Sequence, residues 1–251
     1  MNSSPSNNCK LILSHISVSI DDLKILQEIN LKVQTGEYVG IVGPSGCGKS
    51  TLFNIISGLI KPDIGNIVID QTDCTGKTGF VGYMQQKDLL LPWFTIVENI
   101  SLPMLVHGFN KHDARKKIME EIPVFGLEGF EDSYPIELSG GMKQKAALLR
   151  TILFEKEILL LDEPFGRLDA ITRKKMQDWL MKLKNHFNKT ILMITHDVDE
   201  AIYLSDTVYV FSNLPGSIID SFSIDLPKPR DLSIQTTSKF NAYKKRIMES
   251  L

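Results

Sequence analysis

One stretch decides the fold, Gly43-Pro44-Ser45-Gly46-Cys47-Gly48-Lys49-Ser50, because it fits the phosphate-loop pattern G-x-x-x-x-G-K-[ST]. The run before it, Glu37 to Val42, is typical of a buried strand, and Thr51 to Leu59 after it has helical spacing. Glycines let backbone N–H groups close around phosphate oxygens, and the positive end of the following helix attracts the same oxygens. The stretch therefore predicts a nucleotide site between a strand and a helix.

Side chains of the loop and of the following helix add specific chemistry. We predict that Lys49 binds the β and γ phosphates as a mobile cation and that the Ser50 hydroxyl is a ligand of Mg²⁺. Thr51, the next residue, joins the predicted nucleotide contacts. A kinase or a GTPase would share such a loop, so the loop alone indicates only that a nucleotide binds.

Two carboxylates follow a second apolar run, Ile158-Leu159-Leu160-Leu161-Asp162-Glu163-Pro164. Asp162 is predicted to hold Mg²⁺, directly or through water. Glu163 lies one residue further along, so it points elsewhere and can polarise an attacking water, a role that contributes about 10²–10⁴-fold to a rate. In isolation the run is also compatible with a strand that ends in solvated acids, but its pairing with the phosphate loop favours a catalytic site.

A histidine follows a third apolar strand, Ile191 to Ile194, in the sequence Thr195-His196-Asp197. Ligands bind at the carboxyl edge of open α/β sheets, so His196 is placed to hydrogen-bond the γ-phosphate. A single histidine is more often structural, and its position after the other motifs is what favours the functional interpretation.

A second anion-binding pattern, Leu138-Ser139-Gly140-Gly141-Met142, precedes the acidic strand. Ser-Gly-Gly at the start of a helix combines a hydroxyl, free backbone N–H groups and a helix N-terminus. One chain already has a phosphate site and does not need another. We therefore expect a head-to-tail dimer in which each chain closes the other's nucleotide site.

The wider pattern predicts an α/β fold. Strands over Lys10 to Val33, broken by a turn at Asp21-Asp22, predict an N-terminal β part. Further strands are predicted at Ile64 to Asp70 and Thr78 to Met84. Strands then alternate with helices after residue 157, and this alternation predicts parallel pairing in the core sheet.

Domain boundaries follow from where helical patterns replace strand patterns. We predict one domain, 1–251, with an α/β core formed by 1–86 and 157–215. A helical subdomain, 87–156, interrupts the core and carries the Ser-Gly-Gly pattern. A polar tail, 216–251, ends in a basic helix.

Composition restricts the function. The 251 residues are 43% hydrophobic and 23% charged, with a formal net charge of -2, so no nucleic-acid partner is expected. No run approaches the roughly 18 apolar residues of a membrane span, and the polar N-terminus does not resemble a signal peptide. Cys9, Cys47 and Cys74 form neither a metal-binding spacing nor a disulfide framework. We therefore expect a cytoplasmic protein that would associate with a membrane only through a partner protein.

In combination and in this order, the motifs resemble those of the ABC transporter ATPases, over nearly the whole chain. The resemblance identifies the phosphate loop as Walker A, Asp162 and Glu163 as the Walker B acids and Leu138 to Met142 as the signature motif. By the same resemblance Gln86 is the Q-loop glutamine, Phe165 to Asp169 is the D-loop and His196 is the switch histidine.

The resemblance implies a P-loop NTPase fold with a mainly parallel core sheet, flanking helices, an N-terminal antiparallel β part and an inserted helical subdomain. It implies ATP and Mg²⁺ as ligands. Gln86 would act in catalysis and as a ligand of Mg²⁺, and Asp169 would contact the nucleotide. Ser139, Gly140 and Gly141 would act in trans on the ATP of a second ATPase subunit, most simply a second copy of this chain. An integral-membrane permease is the implied partner, on the cytoplasmic face of the cell membrane, and an extracytoplasmic solute-binding protein would act indirectly.

Leu90-Leu91-Pro92-Trp93 after Gln86, and His196 to Ala201, resemble the importer branch for nitrate, sulfonate, taurine and thiamine precursors. A soluble, non-transport ABC ATPase is the first alternative, but long coiled coils or duplicated cassettes are usual there. A P-loop kinase is the second, and the signature motif has no role in it. The connector Gln86 to Phe94 is unusually apolar from Leu89 onward. It either packs in the core or lines a groove for a permease helix, and we favour the groove.

Two departures from the family pattern stand out. Ile20 occupies the position of the aromatic residue that usually stacks on adenine, and no Phe, Tyr or Trp occurs before Tyr38. Stacking on a base contributes roughly 1–3 kcal/mol, so we expect Ile20 to give a weaker, apolar base contact unless another residue covers the ring. The D-loop has Arg167 where a small residue is commoner.

Overall fold

The computed structural model describes residues 9–187 and 189–251. Two sheets and seven helices form in this part of the chain. The strands are β1 (Cys9–Ile20), β2 (Leu23–Gln34), β3 (Tyr38–Val42), β4 (Ile64–Ile69), β5 (Thr72–Asp73), β6 (Gly82–Met84), β7 (Ile158–Asp162), β8 (Thr190–Ile194), β9 (Thr207–Phe211) and β10 (Ile218–Ser223). The helices are α1 (Lys49–Ile56), α2 (Ile96–Val106), α3 (Lys111–Phe125), α4 (Gly140–Ile152), α5 (Ala170–Phe187), α6 (Val198–Leu204) and α7 (Ser238–Ser250).

The smaller sheet is antiparallel, in the order β2-β1-β4-β5, and confirms the predicted N-terminal β part. Its first hairpin turns at Asp21 and Asp22, with φ of 48° and 63°. Positive φ at both central residues defines the turn that matches the twist of a two-residue hairpin, and Asp tolerates it. Leu11 and Leu13 of β1 point into the core, and after an irregularity at His15, where φ is 54°, the buried positions resume at Ile16 and Val18.

The larger sheet has the order β10-β9-β3-β8-β7-β6 and is parallel except for β10. All residues of β3, β7 and β8 are buried, as expected of central strands covered on both faces. Because parallel strands point the same way, the segments after β3, β7 and β8 meet at one edge of the sheet. These segments contain the phosphate loop, the two acids and the histidine.

The inserted part between β6 and β7 is helical, as predicted. It contains α2, α3 and α4, with a short 3₁₀ helix at Pro135–Glu137. Thr95 and Glu98 form a capping box at the start of α2, which fixes where the insertion begins. Ile100, Ile118 and Leu149 are among the buried residues that join the three helices to the main core.

Two strand predictions need correction. Over Thr78 to Met84 only Gly82–Met84 is a strand, because Gly79 at φ 91° turns the backbone away from the sheet. The polar segment after Pro215 contains β10, which pairs with β9. Only Phe222 of β10 is fully buried, so this edge strand has no clear apolar alternation.

The C-terminal segment after β10 packs closely on the core. Phe240 and Ile247 of α7 are buried in the same cluster as the core sheet. Among the described residues, no helix is both long enough and apolar enough to cross a membrane.

Candidate functional site

The phosphate loop joins β3 to α1 and has the backbone geometry of an anion cradle. Gly46 and Gly48 have φ of 79° and 99°, in the left-handed region that favours glycine. Gly48 also occupies the N-cap position of α1, and no side chain caps that helix end. The first N–H groups of α1 are therefore available to an anion from solvent.

The Lys49 side chain folds back over the loop. Its Nζ donates to the carbonyl oxygens of Gly43 and Pro44, both at 2.7 Å, and the residue is only 8% exposed. Nζ also lies 3.6 Å from the buried Sγ of Cys47. The structure thus holds the cation at the mouth of the cradle formed by Gly46 and Gly48.

Asp162 ends β7 next to the loop. The residue is 2% exposed, and burial raises the pKa of its carboxyl while the hydroxyl of Ser50 and the charge of Lys49 oppose the rise. A carboxylate and a hydroxyl oxygen side by side are hard-cation ligands, and they lie beside the phosphate cradle.

The side chains of Glu163, Gln86 and His196 come together beyond β7. Gln86 Nε2 donates to Glu163 Oε2 at 3.2 Å, and His196 Nδ1 lies 3.7 Å from the same oxygen. Glu163 has a φ of 49°, a conformation that non-glycine residues adopt at a cost. Its N–H donates to Ile194 O at 3.0 Å and its carbonyl accepts from Gln144 Nε2 at 2.9 Å, which fixes this backbone.

A buried polar network behind His196 was not predicted from the sequence. The Glu200 carboxylate accepts hydrogen bonds from the hydroxyl of Thr195 and from Gln177 Nε2, the latter at 2.8 Å. Burial raises the pKa of Glu200, and the two hydrogen bonds oppose that rise. Because Thr195 directly precedes His196, Glu200 fixes the end of β8 from which the histidine projects.

The signature residues lie at the N-terminus of α4 and pack against the loop after β7. Ser139 is exposed and caps α4, accepting from Met142 N at 3.3 Å. A Cβ built on Gly141 would be 3.4 Å from Leu168 Cδ2, so this glycine packs against the loop after β7. Within the described residues no hydrogen bond joins the signature segment to residues 43–50.

Asp169 ends the loop after β7 and is exposed. Its Oδ1 accepts from the N–H groups of Ile171 and Thr172, at 3.1 and 3.0 Å. The hydrogen bonds from Thr172 lower the pKa of Asp169. In this structure the side chain therefore caps α5.

Ile20 lies at the tip of the first hairpin and is 42% exposed. Apolar side chains from the next part of the hairpin contact the phosphate loop directly: a Cβ built on Gly48 would be 2.8 Å from Leu26 Cδ2 and 3.2 Å from Ile25 Cγ2. The base contact of Ile20 stays a prediction.

A second loop braces the phosphate loop from behind, and sequence analysis did not identify it. Gly216 N donates to Ile25 O at 2.8 Å, and Gln27 N donates to Gly216 O at 2.9 Å. A Cβ built on Gly216 would overlap the carbonyl oxygen of Cys47. Pro215-Gly216 was a visible turn signal, but its contact with the phosphate loop is a tertiary feature.

We expect Gly216→Ala to displace the phosphate loop. The added methyl has no room beside Cys47 O, and overpacking of this kind typically costs about 1–3 kcal/mol. The variant should show a lower Tm and a raised KM for ATP. Leu214→Ala, an exposed change in the same loop, is the matched control. Unchanged KM in Gly216→Ala would show that the brace does not set the loop geometry.

A glycine cradle on a helix end, a facing lysine, a buried acid and a carboxylate–glutamine–histidine cluster define a P-loop nucleoside triphosphatase. Comparison with known proteins narrows the class. The sequence profile of the ABC transporter family matches residues 26–166. The chain belongs to this family, and it is an ATPase and the ATP-binding subunit of an ABC transporter.

Relatives and solved structures agree with this assignment. An uncharacterised ABC transporter ATP-binding protein of Methanocaldococcus jannaschii is 42% identical over 91% of this chain and 85% of its own length. The aliphatic sulfonates import ATP-binding protein SsuB of Bacillus licheniformis is 40% identical over 90% of this chain and 86% of its own. The dimeric ABC transporter cassette MJ0796 has a TM-score of 0.79 at 29% identity, covering 86% of this chain and 100% of that one.

A second structure of that cassette, a dimeric post-hydrolysis state with bound ADP and Pi, has a TM-score of 0.78 at 28% identity. It covers 86% of this chain and 100% of that one. The family and these structures together confirm the predicted fold and ATPase class.

Proposed function

We propose that two copies of this chain bind two ATP molecules between them, hydrolyse them with Mg²⁺, and so drive a membrane permease that imports a small solute. The observation that carries this is the position of the signature segment. Ser139 and Gly140 are exposed at the N-terminus of α4, and within the described residues they make no hydrogen bond to their own phosphate loop, so this helix end is accessible to the nucleotide of a second chain. The dimeric cassette with a similar fold supports the arrangement.

In this proposal each half of the site has its own task. The loop Gly43 to Ser50 and Thr51 bind the phosphates, with Lys49 as the cation. Ser139, Gly140 and Gly141 of the other chain close the site, and Asp169 and Ile20 contact the nucleotide at its edges. Residues 9–86 and 157–215, together with β10, form the ATPase core, 87–156 carries the signature segment, and the segment after β10 is the C-terminal tail.

Mg²⁺ would be held by Ser50 and Asp162, with Gln86 nearby. The side chains fit this ion, because a hydroxyl and a buried carboxylate oxygen already adjoin the phosphate cradle. When bound, Mg²⁺ neutralises charge that develops on the phosphate oxygens. Glu163 is the base that polarises water, and Gln86 and His196 both approach its Oε2, at 3.2 and 3.7 Å.

Asp162→Asn tests this assignment through stability. Burial raises the pKa of Asp162, so the ligand-free subunit loses stability as the pH rises through that pKa. Asparagine removes the buried charge but keeps an oxygen for the Ser50 hydroxyl. At neutral pH we expect a higher Tm than wild type without nucleotide, and loss of the further rise that Mg-ATP gives wild type.

The measurement is thermal unfolding with EDTA alone and with Mg-ATP. Asp21→Asn, an exposed change in the hairpin turn, should behave as wild type in both conditions. A wild-type response of Asp162→Asn to Mg-ATP would contradict the metal assignment.

Coupling to the permease is assigned to the connector, residues 86–94, and to the clefts beside it. Leu90 is 8% exposed and packs in the core, whereas Leu89 is 49% and Trp93 is 67% exposed. A cleft of about 270 Å³ next to Phe94 is lined by Val97, Leu102 and Leu105. A second, of about 430 Å³, separates α2 from the core near Tyr83. Exposed aromatic and aliphatic groups beside clefts support docking of an apolar helix face.

For the solute we propose an aliphatic sulfonate, because importer ATPases of that name are among the relatives. A host strain that lacks this chain should lose growth on ethanesulfonate as sole sulfur source and keep growth on sulfate. Wild-type chain should restore growth, and Lys49→Met should not. Unimpaired growth of the deletion strain on ethanesulfonate would contradict the proposed solute. It would not bear on the ATPase activity of the purified chain.

A further inference from the structure

The connector is held to the rest of the subunit at three points, one of them the catalytic Glu163. Gln86 Nε2 donates to Glu163 Oε2 at 3.2 Å. Arg150 of α4 donates to the carbonyl oxygens of Asp88 and Leu89, at 2.7 and 2.9 Å. The Asp88 carboxylate pairs with Arg167 of the loop after β7, with 3.4 Å between Oδ2 and Nη1.

The Gln86 contact and the Asp88–Arg167 pair both lead to Glu163. Arg167 N donates to Gln144 Oε1 at 2.9 Å, and Gln144 Nε2 donates to Glu163 O at 2.9 Å. The Gln144 side chain thus bridges the backbones of Glu163 and Arg167, while the Glu163 side chain is bound to Gln86 of the connector. The Asp88–Arg167 pair closes this ring of contacts.

The ring holds the connector in a conformation of raised energy. Leu89 has a φ of 47°, which is unfavourable for a leucine without compensating contacts. In this conformation Gln86 donates to Oε2 of Glu163, one of the two oxygens of the carboxylate that is proposed to polarise water. A contact that keeps the connector in place therefore also keeps the catalytic carboxylate engaged.

We propose that Asp88 and Arg167 form a latch that restrains hydrolysis in the resting subunit, by holding the connector so that Gln86 stays on Glu163. The inference rests on the proposed function, in which the connector faces the permease. Movement of the connector on docking would separate the pair, free the Glu163 carboxylate and shift the loop that packs on Gly141. Arg167 and Asp88 are positioning residues that act through Gln86.

The pair is accessible and so is easily tested. The side chain of Arg167 is 52% exposed and that of Asp88 23% exposed, so neutralising either leaves no buried charge. Asp88→Asn also keeps an oxygen for the hydrogen bond from Leu90 N, which spans 3.3 Å in this structure. Exposed ion pairs contribute little free energy, so loss of the latch should change the resting rate of ATP hydrolysis by no more than about fivefold.

The experiment measures ATP hydrolysis by the purified chain without permease. Asp88→Asn and Arg167→Gln should each raise kcat about two- to fivefold with KM for ATP unchanged, and the double variant should equal either single one. At 0.5 M NaCl the screening length is about 4 Å. The kcat of wild type should then rise toward that of the variants, and the kcat of the variants should stay unchanged. Arg115→Gln breaks an exposed bidentate pair with Asp132 in the helical subdomain and should have no effect.

Unchanged kcat in both single variants, or additive effects in the double variant, would overturn the latch. Equal Tm values exclude altered folding as the cause of a change in rate. A wild-type chain without ATPase activity would instead contradict the proposed function, so the two failures are distinguishable.

Discussion

Replacing Glu163 by Gln is expected to lower ATP hydrolysis by about 10²–10⁴-fold while ATP binding is retained. The carboxylate is the only group at the end of β7 that both faces His196 and carries the charge needed to polarise water. Glutamine keeps the size of the side chain and its contact with Gln86, so the backbone at φ 49° has no reason to change. Phosphate release and equilibrium ATP binding measure the two quantities.

Glu128→Gln is the matched control, since Glu128 is exposed on the helical subdomain. It should hydrolyse ATP at the wild-type rate. If Glu163→Gln kept more than a tenth of the wild-type rate, another group would have to be the base and the role of Glu163 would be wrong.

Lys49→Met should weaken ATP binding by about 10- to 150-fold, since hydrogen bonds to charged groups contribute about 1.5–3 kcal/mol. Without ligand, Nζ is satisfied by the carbonyl oxygens of Gly43 and Pro44, so its loss leaves these acceptors open to solvent and does not unfold the loop. Titration with a fluorescent ATP analogue measures the affinity, and the Tm checks folding.

Lys61→Met, which alters an exposed lysine after α1, should bind ATP as wild type does. Near-normal affinity of Lys49→Met would show that the loop amides alone hold the phosphates. A large fall in Tm would instead assign Lys49 a structural role.

Local patterns made much of the site predictable. Eight consecutive residues specify the phosphate loop because the cradle is built from one turn and one helix end. The acids after β7 and the histidine after β8 were predictable for a different reason. Parallel strands bring their carboxyl ends to one edge, so sequence position at a strand end implies spatial proximity.

The missed features depend on contacts between distant segments. In the sequence Gly216 resembles any turn glycine, and only the structure shows that it packs against Cys47 of the phosphate loop. Asp88 and Arg167 are 79 residues apart, and exposed acids and bases are too common for a sequence to show which ones pair. Glu200 is a helix residue whose burial against Thr195 becomes visible only once α6 packs on the core sheet.

Edge structure was also hard to predict. In β10 the polar residues Asp220 and Ser221 stand beside a single fully buried residue, Phe222, so the segment lacks the periodicity of a strand. The alternation of strands and helices after residue 157, by contrast, is confirmed, and an aspartate caps the start of each of the first two helices, Asp169 for α5 and Asp197 for α6.

The measurement that tests the two-chain site most directly is the mass of Glu163→Gln in solution, by light scattering with and without Mg-ATP. This variant binds ATP without consuming it, so a complex that needs ATP on both sides should persist. The account predicts a monomer without nucleotide and twice that mass with Mg-ATP, and a monomer in both conditions when Lys49→Met is added. A variant that binds ATP and remains monomeric, while wild type hydrolyses ATP at the same concentration, would contradict the composite site.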